Sequence, residues 1–301
     1  MSGDSKASAL PGKHTKPEQL GDLAAGLYLT ATPIGHARDI SLRALDVLGQ
    51  VDLIAAEDTR VTSKLLAIHG ISKPLTPYND HNAAKERPRL IGKLQAGARI
   101  ALVSDAGTPL VSDPGFKLAR DAIAEGIAVH AIPGASAVLT GLALSGLPSD
   151  RFLFAGFLPA KTGERRTVLE ELKTLRATLI FFESAQRLDE TLADILAVLG
   201  ARDAAVAREL TKLHEEVRRG SLGELAAHYA QAGAPRGEVT LLVGPPQDIE
   251  ADFGKIEEAL QAALPFMPLK AASDMIAALT GAPRKQVYDL GLQKKKNAQG
   301  Q

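Results

Sequence analysis

The stretch RIALVSDAGTPLVSDPG, residues 99–115, decides the fold class. It opens on the short apolar run Arg99–Val103, which reads as a strand bounded by turn residues. Ser104 and Asp105 end that strand with polar groups. Gly107 and Pro109 then shape a loop, and Asp113-Pro114 reads as an N-cap followed by proline in the first helical turn. The spacing predicts a helix from there to about Glu125. Strand, Gly/Pro loop and helix in that order form the repeating unit of an open α/β sheet. In such sheets ligands bind at the carboxyl ends of the strands.

The same rhythm extends outward in both directions. Upstream, Leu27–Ala31 is a strand followed by Thr32-Pro33-Ile34-Gly35-His36. Asp39 or Ser41 then caps a helix carrying Leu42, Leu45 and Leu48 on one face, closed by Gly49. Val51–Ala56 is the next strand and runs into Glu57-Asp58-Thr59-Arg60. Downstream, Ile127–Ile132 is a strand that passes through Pro133-Gly134-Ala135 into a helix over Ser136–Leu144. Strands follow at Phe152–Phe154, Thr178–Phe182, Ala204–Ala207 and Glu238–Val243, with helices at Arg187–Leu199 and Leu222–Gln231 between them. The boundary between the two halves is placed near Pro133-Gly134, giving α/β domains over residues 26–133 and 134–246.

The ends differ. Residues 1–25 are rich in Ser, Gly, Lys and Pro and read as a flexible extension. Residues 247–292 form a small helical region with two short helices, Leu269–Leu279 and Pro283–Leu292, joined by Thr280-Gly281-Ala282 in a helix-turn-helix-like arrangement. Residues 293–301, with Lys294, Lys295 and Lys296, read as a disordered basic tail.

Composition narrows the function. The 301 residues are 45% apolar and 23% charged, with eight Phe, four Tyr and no Trp, so the cores must be built from Ala, Leu, Ile and Val. The absence of Cys excludes a disulfide framework and any thiolate metal site. No apolar run reaches the ~18 residues of a membrane span, and the N-terminus lacks a signal-peptide core, which predicts a cytoplasmic protein. Zero formal net charge argues against a protein that coats nucleic acid by charge, but not against an enzyme with a local basic patch. No G-x-G-x-x-G follows a strand, and neither a Walker A sequence nor a G-x-S-x-G elbow is present. The seven His residues show no metal-ligand spacing, so no metal is expected.

What remains is a set of polar loops at strand ends. Thr32–His36 is a Pro-Gly turn that exposes backbone to a ligand, or an ordinary strand-to-helix turn. Glu57-Asp58-Thr59-Arg60 lines a cleft, or merely makes a surface ion pair. Ser104–Pro109 is suited to holding amino or ribose groups through Asp105 and backbone amides; the alternative is a buried turn with Asp105 as a local cap. At Pro133–Ala137 small residues let a ligand lie against backbone, although Ser136 alone reads as an N-cap. Phe181-Phe182-Glu183-Ser184 with Arg187, Arg208-Glu209-Leu210-Thr211-Lys212 and Gly237-Glu238 complete the set. Surface helix charges would explain several of these, but Arg208-Glu209 directly after a strand is harder to dismiss.

Taken in order, these segments resemble the ribosomal RNA small subunit methyltransferase I family, within the tetrapyrrole (corrin/porphyrin) methylase superfamily. The matching runs are TPIGHARDIS, EDTR, SDAGTPLVSDPG, PGASA, LPSDRFLFAGFLP, FFES, RELTK and GEVTLLVG, spread over about residues 26–245. Single motifs of this kind are weak; eight in order are highly specific. His36 stands where the family usually has Asn, and Ala185 where it usually has Pro or Thr.

The resemblance implies two α/β domains of tetrapyrrole-methylase type with S-adenosylmethionine in the cleft between them, and a homodimer. It places the cofactor against Pro33, Gly35, Ser104, Asp105, Gly107, Pro109, Ser136, Ala137, Phe182 and Thr240, with the last strand closing the adenine pocket. It implies 2′-O-ribose methylation of a cytidine in 16S ribosomal RNA of the small subunit. Methyl transfer from a sulfonium is an in-line displacement, and orientation alone supplies roughly 7–11 kcal/mol. A ribose hydroxyl is a poor nucleophile, so a proton acceptor or charge-stabilising group helps. The candidates are Glu57, Asp58, Arg60, Glu183, Arg208 and Glu209: one carboxylate accepts the proton, while Arg60 and Arg208 hold phosphate or steady the alkoxide. Lys161, Arg165, Arg166, Arg218, Arg219, Lys270, Arg284, Lys285 and the Lys294–Lys296 run are candidate RNA contacts, or a solvated face and tail. Two rivals stand beside this reading. One is methylation of a small tetrapyrrole on the same fold; the other is a non-catalytic RNA-binding module built on residues 265–292.

Overall fold

The computed structural model describes residues 21–246 and 253–299. The chain divides into two compact units, Met1–Pro245 and Pro246–Gln301. The expected extension over residues 1–25 lies outside the described residues as far as Leu20. From Gly21 the chain is held: Leu23 packs beneath the first core, and the Tyr28 hydroxyl donates to the Ala24 carbonyl at 2.7 Å.

Among its described residues the first unit contains two five-stranded sheets. The first is built from β1 (Gly26–Thr30), β2 (Leu53–Ala56), β3 (Leu75–Pro77), β4 (Arg99–Val103) and β5 (Val129–Ile132), in the order β3-β2-β4-β1-β5. All its pairs are parallel. Parallel neighbours need crossover helices, and these cover both faces of the sheet: α1 (Leu42–Gln50), α2 (Thr59–Ile68), α3 (Ala83–Gln95) and α4 (Phe116–Ala124). Side chains alternate between the faces as strand geometry demands. Tyr28, Ala101 and Val103 join one core with Val47 and Leu48 of α1; Leu27, Ile100 and Leu102 join the other with Leu90 of α3 and Leu118 of α4. Ser41, not Asp39, caps α1, accepting from the Ala44 amide.

The second sheet contains β6 (Phe152–Phe157), β7 (Thr178–Ser184), β8 (Asp203–Arg208), β9 (Glu216–Ser221) and β10 (Glu238–Val243), in the order β6-β7-β10-β8-β9. Only β6 and β7 run parallel. One face packs on α7 (Leu188–Leu199) and α8 (Leu222–Ala232) through Phe181, Leu192, Leu225 and Leu241. The other receives α5 (Ala137–Ser145), whose Val138 and Leu142 pack with Ile180, Ala205 and Leu242. Ile34, from the loop after β1, enters this same core. The first sheet's last strand ends at Ile132, and α5 already belongs to the second layer.

Two sequence expectations change here. The helix expected from Asp113-Pro114 begins only at Phe116. Leu110 and Ser112 take left-handed backbone conformations, and Gly115, at φ +131°, lies outside the helical region. The helix therefore cannot start before that glycine. Strand β9 was not expected at all. Its sequence EVRRGS has one apolar side chain and sits at a sheet edge, where exposed charges discourage further pairing.

Among its described residues the second unit is a three-helix cluster: α9 (Phe253–Ala263), α10 (Leu269–Thr280) and α11 (Arg284–Gln299), packed around Ile256, Leu260, Ala272, Ile276 and Val287. The expected tail is corrected: α11 continues through Gln299, and Lys294 pairs with Glu257 at 3.3 Å. No Gly or Pro interrupts residues 292–299, and Leu, Gln, Lys and Ala are good helix formers. Residues 300–301 lie outside the described residues. Among the described residues no helix is long and apolar enough to cross a membrane.

Candidate active site

The loops after β1 and β4 meet because their strands are neighbours. Thr32 and Gly107 form an isolated antiparallel bridge, each amide donating to the other's carbonyl at 2.9 and 3.1 Å. The Thr32 hydroxyl donates to the Ser104 carbonyl at 3.1 Å. The loop after β2 is joined by a reciprocal clasp. The Asp58 amide donates to Asp105 Oδ1 at 3.0 Å, and the Asp105 amide donates to Glu57 Oε2 at 3.2 Å. Three strand ends of the first sheet thus form one surface carrying Glu57, Asp105 and, across the loop, Asp113.

Facing them across a cavity of about 540 Å³ are the N-terminus of α5, the end of β7 and the start of β10. That volume falls in the range of small-molecule sites. Ser136 and Ala137 line it from α5, Phe182 and Glu183 from β7, and Val239 and Thr240 from β10. Phe157 and Phe182, 5.7 Å apart edge to face, make an apolar wall. Leu110 and Ser112, at φ +74° and +63°, lie in the bordering loop. Non-glycine residues in this region are strained, and such strain concentrates at functional loops.

The acidic side has unusual proton affinities. Burial pushes the Asp113 carboxyl up to about 6; the charges of Glu57 and Asp105 add to this, and a hydrogen bond from Ser104 partly offsets it. Burial also raises Glu57 and Asp105 above the usual carboxylate range, with neighbouring carboxylates reinforcing the shift. Three carboxyls with raised affinity around one cavity are the arrangement expected where a proton is taken up.

Glu183 is different. Its carboxylate is buried and satisfied: Oε1 accepts from the Ser184 amide at 2.6 Å and from Arg187 Nε at 2.9 Å, and Oε2 accepts from the Thr191 hydroxyl at 2.7 Å. It fixes the end of β7 against α7. Arg208 is likewise committed, donating to Glu216 at 2.8 Å and to the Arg236 carbonyl at 3.1 Å. Glu209, at φ +51°, accepts from Lys212 Nζ at 2.9 Å and from the Glu238 amide at 3.1 Å. Lys212 holds its carboxyl below the usual range. The connector 209–215 between β8 and β9 then reaches the first sheet: the His36 amide donates to Thr211 Oγ1 at 3.1 Å. A Cβ added to Gly35 would lie 2.6 Å from both Lys212 Cγ and Thr211 Oγ1, so only glycine allows that approach.

A second, smaller groove of about 180 Å³ lies between the β1 loop and α2. Pro33, Gly35 and Ser104 line this groove, not the larger cavity, and Asp105 lines both. Of the expected cofactor residues, Asp105, Gly107, Ser136, Ala137, Phe182 and Thr240 surround the larger cavity, while Pro109 is buried in its loop and lines neither space. Of the expected catalytic residues, Glu57 and Glu183 line the cavity; Asp58, Arg60, Arg208 and Glu209 do not. Asp58 and Arg60 pair with each other at 2.6 Å on the surface. Asp113 was missed as a candidate because Asp-Pro reads as a helix cap. The order of carboxylates along the loops was its only signal.

Among the expected RNA contacts, Arg165 is corrected. It is 0% exposed and bonds Asp194 at 2.5 Å, with Arg166 on the other oxygen at 2.7 Å. Lys161 pairs with Glu164, Arg218 with Glu216 and Arg284 with Asp274.

The fold and the cleft between its two sheets define the class. The model of the tetrapyrrole (corrin/porphyrin) methylases matches residues 26–226, and that of the RsmI C-terminal HTH domain matches residues 250–295. The ribosomal RNA small subunit methyltransferase I of Mesorhizobium japonicum is 51% identical over 88% of this chain and 91% of its own length. That of Escherichia coli O157:H7 is 45% identical over 92% and 99%. The crystal structure of uroporphyrin-III-C-methyltransferase from Thermus thermophilus shares the fold, with a TM-score of 0.54 at 23% identity over 73% of this chain and 94% of that one. The chain belongs to the ribosomal RNA small subunit methyltransferase I family of the tetrapyrrole methylases.

As a member of that family the chain is a methyltransferase, and S-adenosylmethionine is its methyl donor. The larger cavity fits such a donor. Carboxylates on one side complement a sulfonium and an ammonium, while Phe157, Phe182 and Val239 offer an apolar surface for adenine.

Proposed function

We propose that this protein methylates the 2′-hydroxyl of a cytidine ribose in 16S ribosomal RNA of the small subunit, acting as a cytoplasmic homodimer. The observation that carries the chemistry is the Glu57–Asp105–Asp113 group on one wall of the donor cavity. The RNA substrate is supported by the relatives being ribosomal RNA methyltransferases and by the helix-turn-helix match at residues 250–295.

The donor supplies an electrophilic methyl on a positive sulfur. Everything else falls to the chain's own residues. Ser136, Ala137 and Thr240 position the donor from the second sheet, and the Phe157–Phe182 wall keeps water from its apolar side. The acceptor hydroxyl must lose its proton as the methyl arrives. Asp105 is placed to take it, because it borders both the cavity and the adjoining groove. Its Oδ1 is occupied by the Asp58 amide, leaving Oδ2 for the substrate. Burial and the charge of Asp58 raise the proton affinity of Asp105, and Glu57 and Asp105 add to the burial that raises Asp113 behind it. Arg60, 85% exposed beside Asp58, is a phosphate contact and not part of the proton path.

The test is direct. Small ribosomal subunits from a strain lacking this protein are incubated with the purified protein and labelled S-adenosylmethionine, and the RNA is mapped by mass spectrometry. One new 2′-O-methylcytidine is expected. Label on a base, or on a uroporphyrinogen offered in parallel but not on RNA, would rule the reading out.

A further inference from the structure

The donor cavity explains only half of a transfer reaction, since the acceptor also needs a seat that meets the donor at one point. The groove between the β1 loop and α2 adjoins it. One wall is apolar: Val61, Leu65 and Ile68, spaced i, i+4 and i+7, form one stripe of α2, and Ile68 is 65% exposed. A stripe of this kind exposed beside an acidic site is a surface in need of an apolar partner. The opposite wall is Pro33 and Ala37. Asp105 stands where the groove meets the cavity. Arg38 follows the Pro33–Ala37 wall, Lys64 sits on α2 beside the stripe, and both are exposed.

We propose that this groove seats a single unstacked nucleotide of the RNA. Its base lies on the Val61–Leu65–Ile68 stripe, its ribose hydroxyl turns toward Asp105, and its phosphates lie on Arg38 and Lys64. The volume of about 180 Å³ is on the scale of one nucleoside and well below that of the donor cavity. An apolar slot whose two walls are each neighboured in sequence by an exposed cation, Arg38 and Lys64, matches an extruded nucleotide, whose base is a flat apolar face and whose backbone is anionic. The loop order explains the geometry: the β1 loop forms one wall, α2 the other, and the β4 loop closes the inner end against the donor. The assignment rests on the RNA-ribose reading above.

The experiment uses the full chain, small ribosomal subunits lacking the modification and labelled S-adenosylmethionine. Val61→Phe fills the groove; Ile68→Glu places a charge on the stripe at a surface position where folding tolerates it. Both are expected to lower kcat/KM for RNA at least tenfold, while the dissociation constant for S-adenosylhomocysteine, read by calorimetry, changes less than twofold. Arg38→Ala with Lys64→Ala is expected to weaken subunit binding and to reduce the slope of log K against log salt by about one or more. Wild-type turnover in both groove variants overturns the seat and leaves the methyltransferase reading standing. No transfer to RNA by the wild-type protein overturns that reading and the seat with it. Equal loss of donor binding in both variants overturns the seat too, because it makes the groove part of the donor site.

Discussion

Asp113 shows how a single residue is set by its surroundings. Its carboxyl is held up at about 6 by burial and by the carboxylates of Glu57 and Asp105. The folded state therefore holds a proton that the unfolded chain releases at lower pH. The stability from that proton is complete below the unfolded carboxyl value of ~4 and is lost as pH rises through about 6. At pH 7.5 Asp113 is an ionised, partly desolvated carboxylate among others. Asp113→Asn is thus expected to raise the melting temperature at pH 7.5 and to change it little at pH 4, in scanning calorimetry at both values. Activity moves the other way. Because the acidic wall must be ionised to accept a proton, kcat/KM of the wild type is expected to fall as pH drops through about 6. In the Asn variant the fall should shift to lower pH, and the pH 7.5 rate should drop about tenfold, less than the ~10²–10⁴ of a group that itself transfers the proton, because Asp105 takes it. A flat profile between pH 5 and 8 in the wild type would remove the acidic wall from the chemistry. The sequence pointed to Glu57 and Asp105 through their position after apolar strands. Asp113 was hidden, because Asp-Pro-Gly carries a helix-start signal that the left-handed conformations of Leu110 and Ser112 and the φ of Gly115 override.

At the scale of elements, two contacts decide how the second sheet presents its side of the cavity. The connector between β8 and β9 leans on the β1 loop, and Gly35 is the point of approach. Gly35→Ala places a methyl 2.8 Å from the Leu210 carbonyl as well as against Lys212 and Thr211. A backbone carbonyl cannot yield cheaply, so the expected cost is about 1–3 kcal/mol, in the range of overpacking. Donor affinity should fall several-fold in calorimetry. Unchanged affinity would show that the connector moves without disturbing the cavity. The second contact is the Arg165–Asp194 pair joining α6 (Thr162–Leu172) to α7. Arg165 also reaches the carbonyls of Pro159 and Ala160 and so fixes the turn that follows β6. Removing one partner of a buried pair costs about 3–5 kcal/mol, because the other charge is left without compensation. Asp194→Ala is expected to lower the melting temperature by about 10 °C, at roughly 2–4 °C per kcal/mol for a unit of this size, and Lys161→Ala to leave it unchanged. Helices and strands with clear apolar periods, such as β4, α7 and β10, were legible from sequence. Arg165 in the run GERR was not. Its neighbours are polar, and the carboxylate that holds it is far along the chain, so nothing local distinguishes a buried arginine from a surface one.

At the scale of the whole molecule, the order of strands and loops creates the site. Parallel β1, β2 and β4 bring three loops to one edge, and the second sheet supplies the opposing wall from α5, β7 and β10. The eight motifs had that order because each is a strand or a strand end of these sheets; pairing and register were beyond the sequence, since β6-β7-β10-β8-β9 joins strands that are not consecutive. All residues lining both the cavity and the groove lie in the unit ending at Pro245, and that unit has its own cores on every sheet face. The three-helix unit has a separate core. Donor binding should therefore need only the first unit. A chain ending at Pro246 is expected to fold cooperatively and to bind S-adenosylhomocysteine within about twofold of the full chain. A full set of contacts from one unit leaves no differential interaction for the other to supply. Calorimetry on both proteins checks this. A tenfold weaker affinity in the shortened chain, with its melting transition intact, would show that the helical unit takes part in holding the donor.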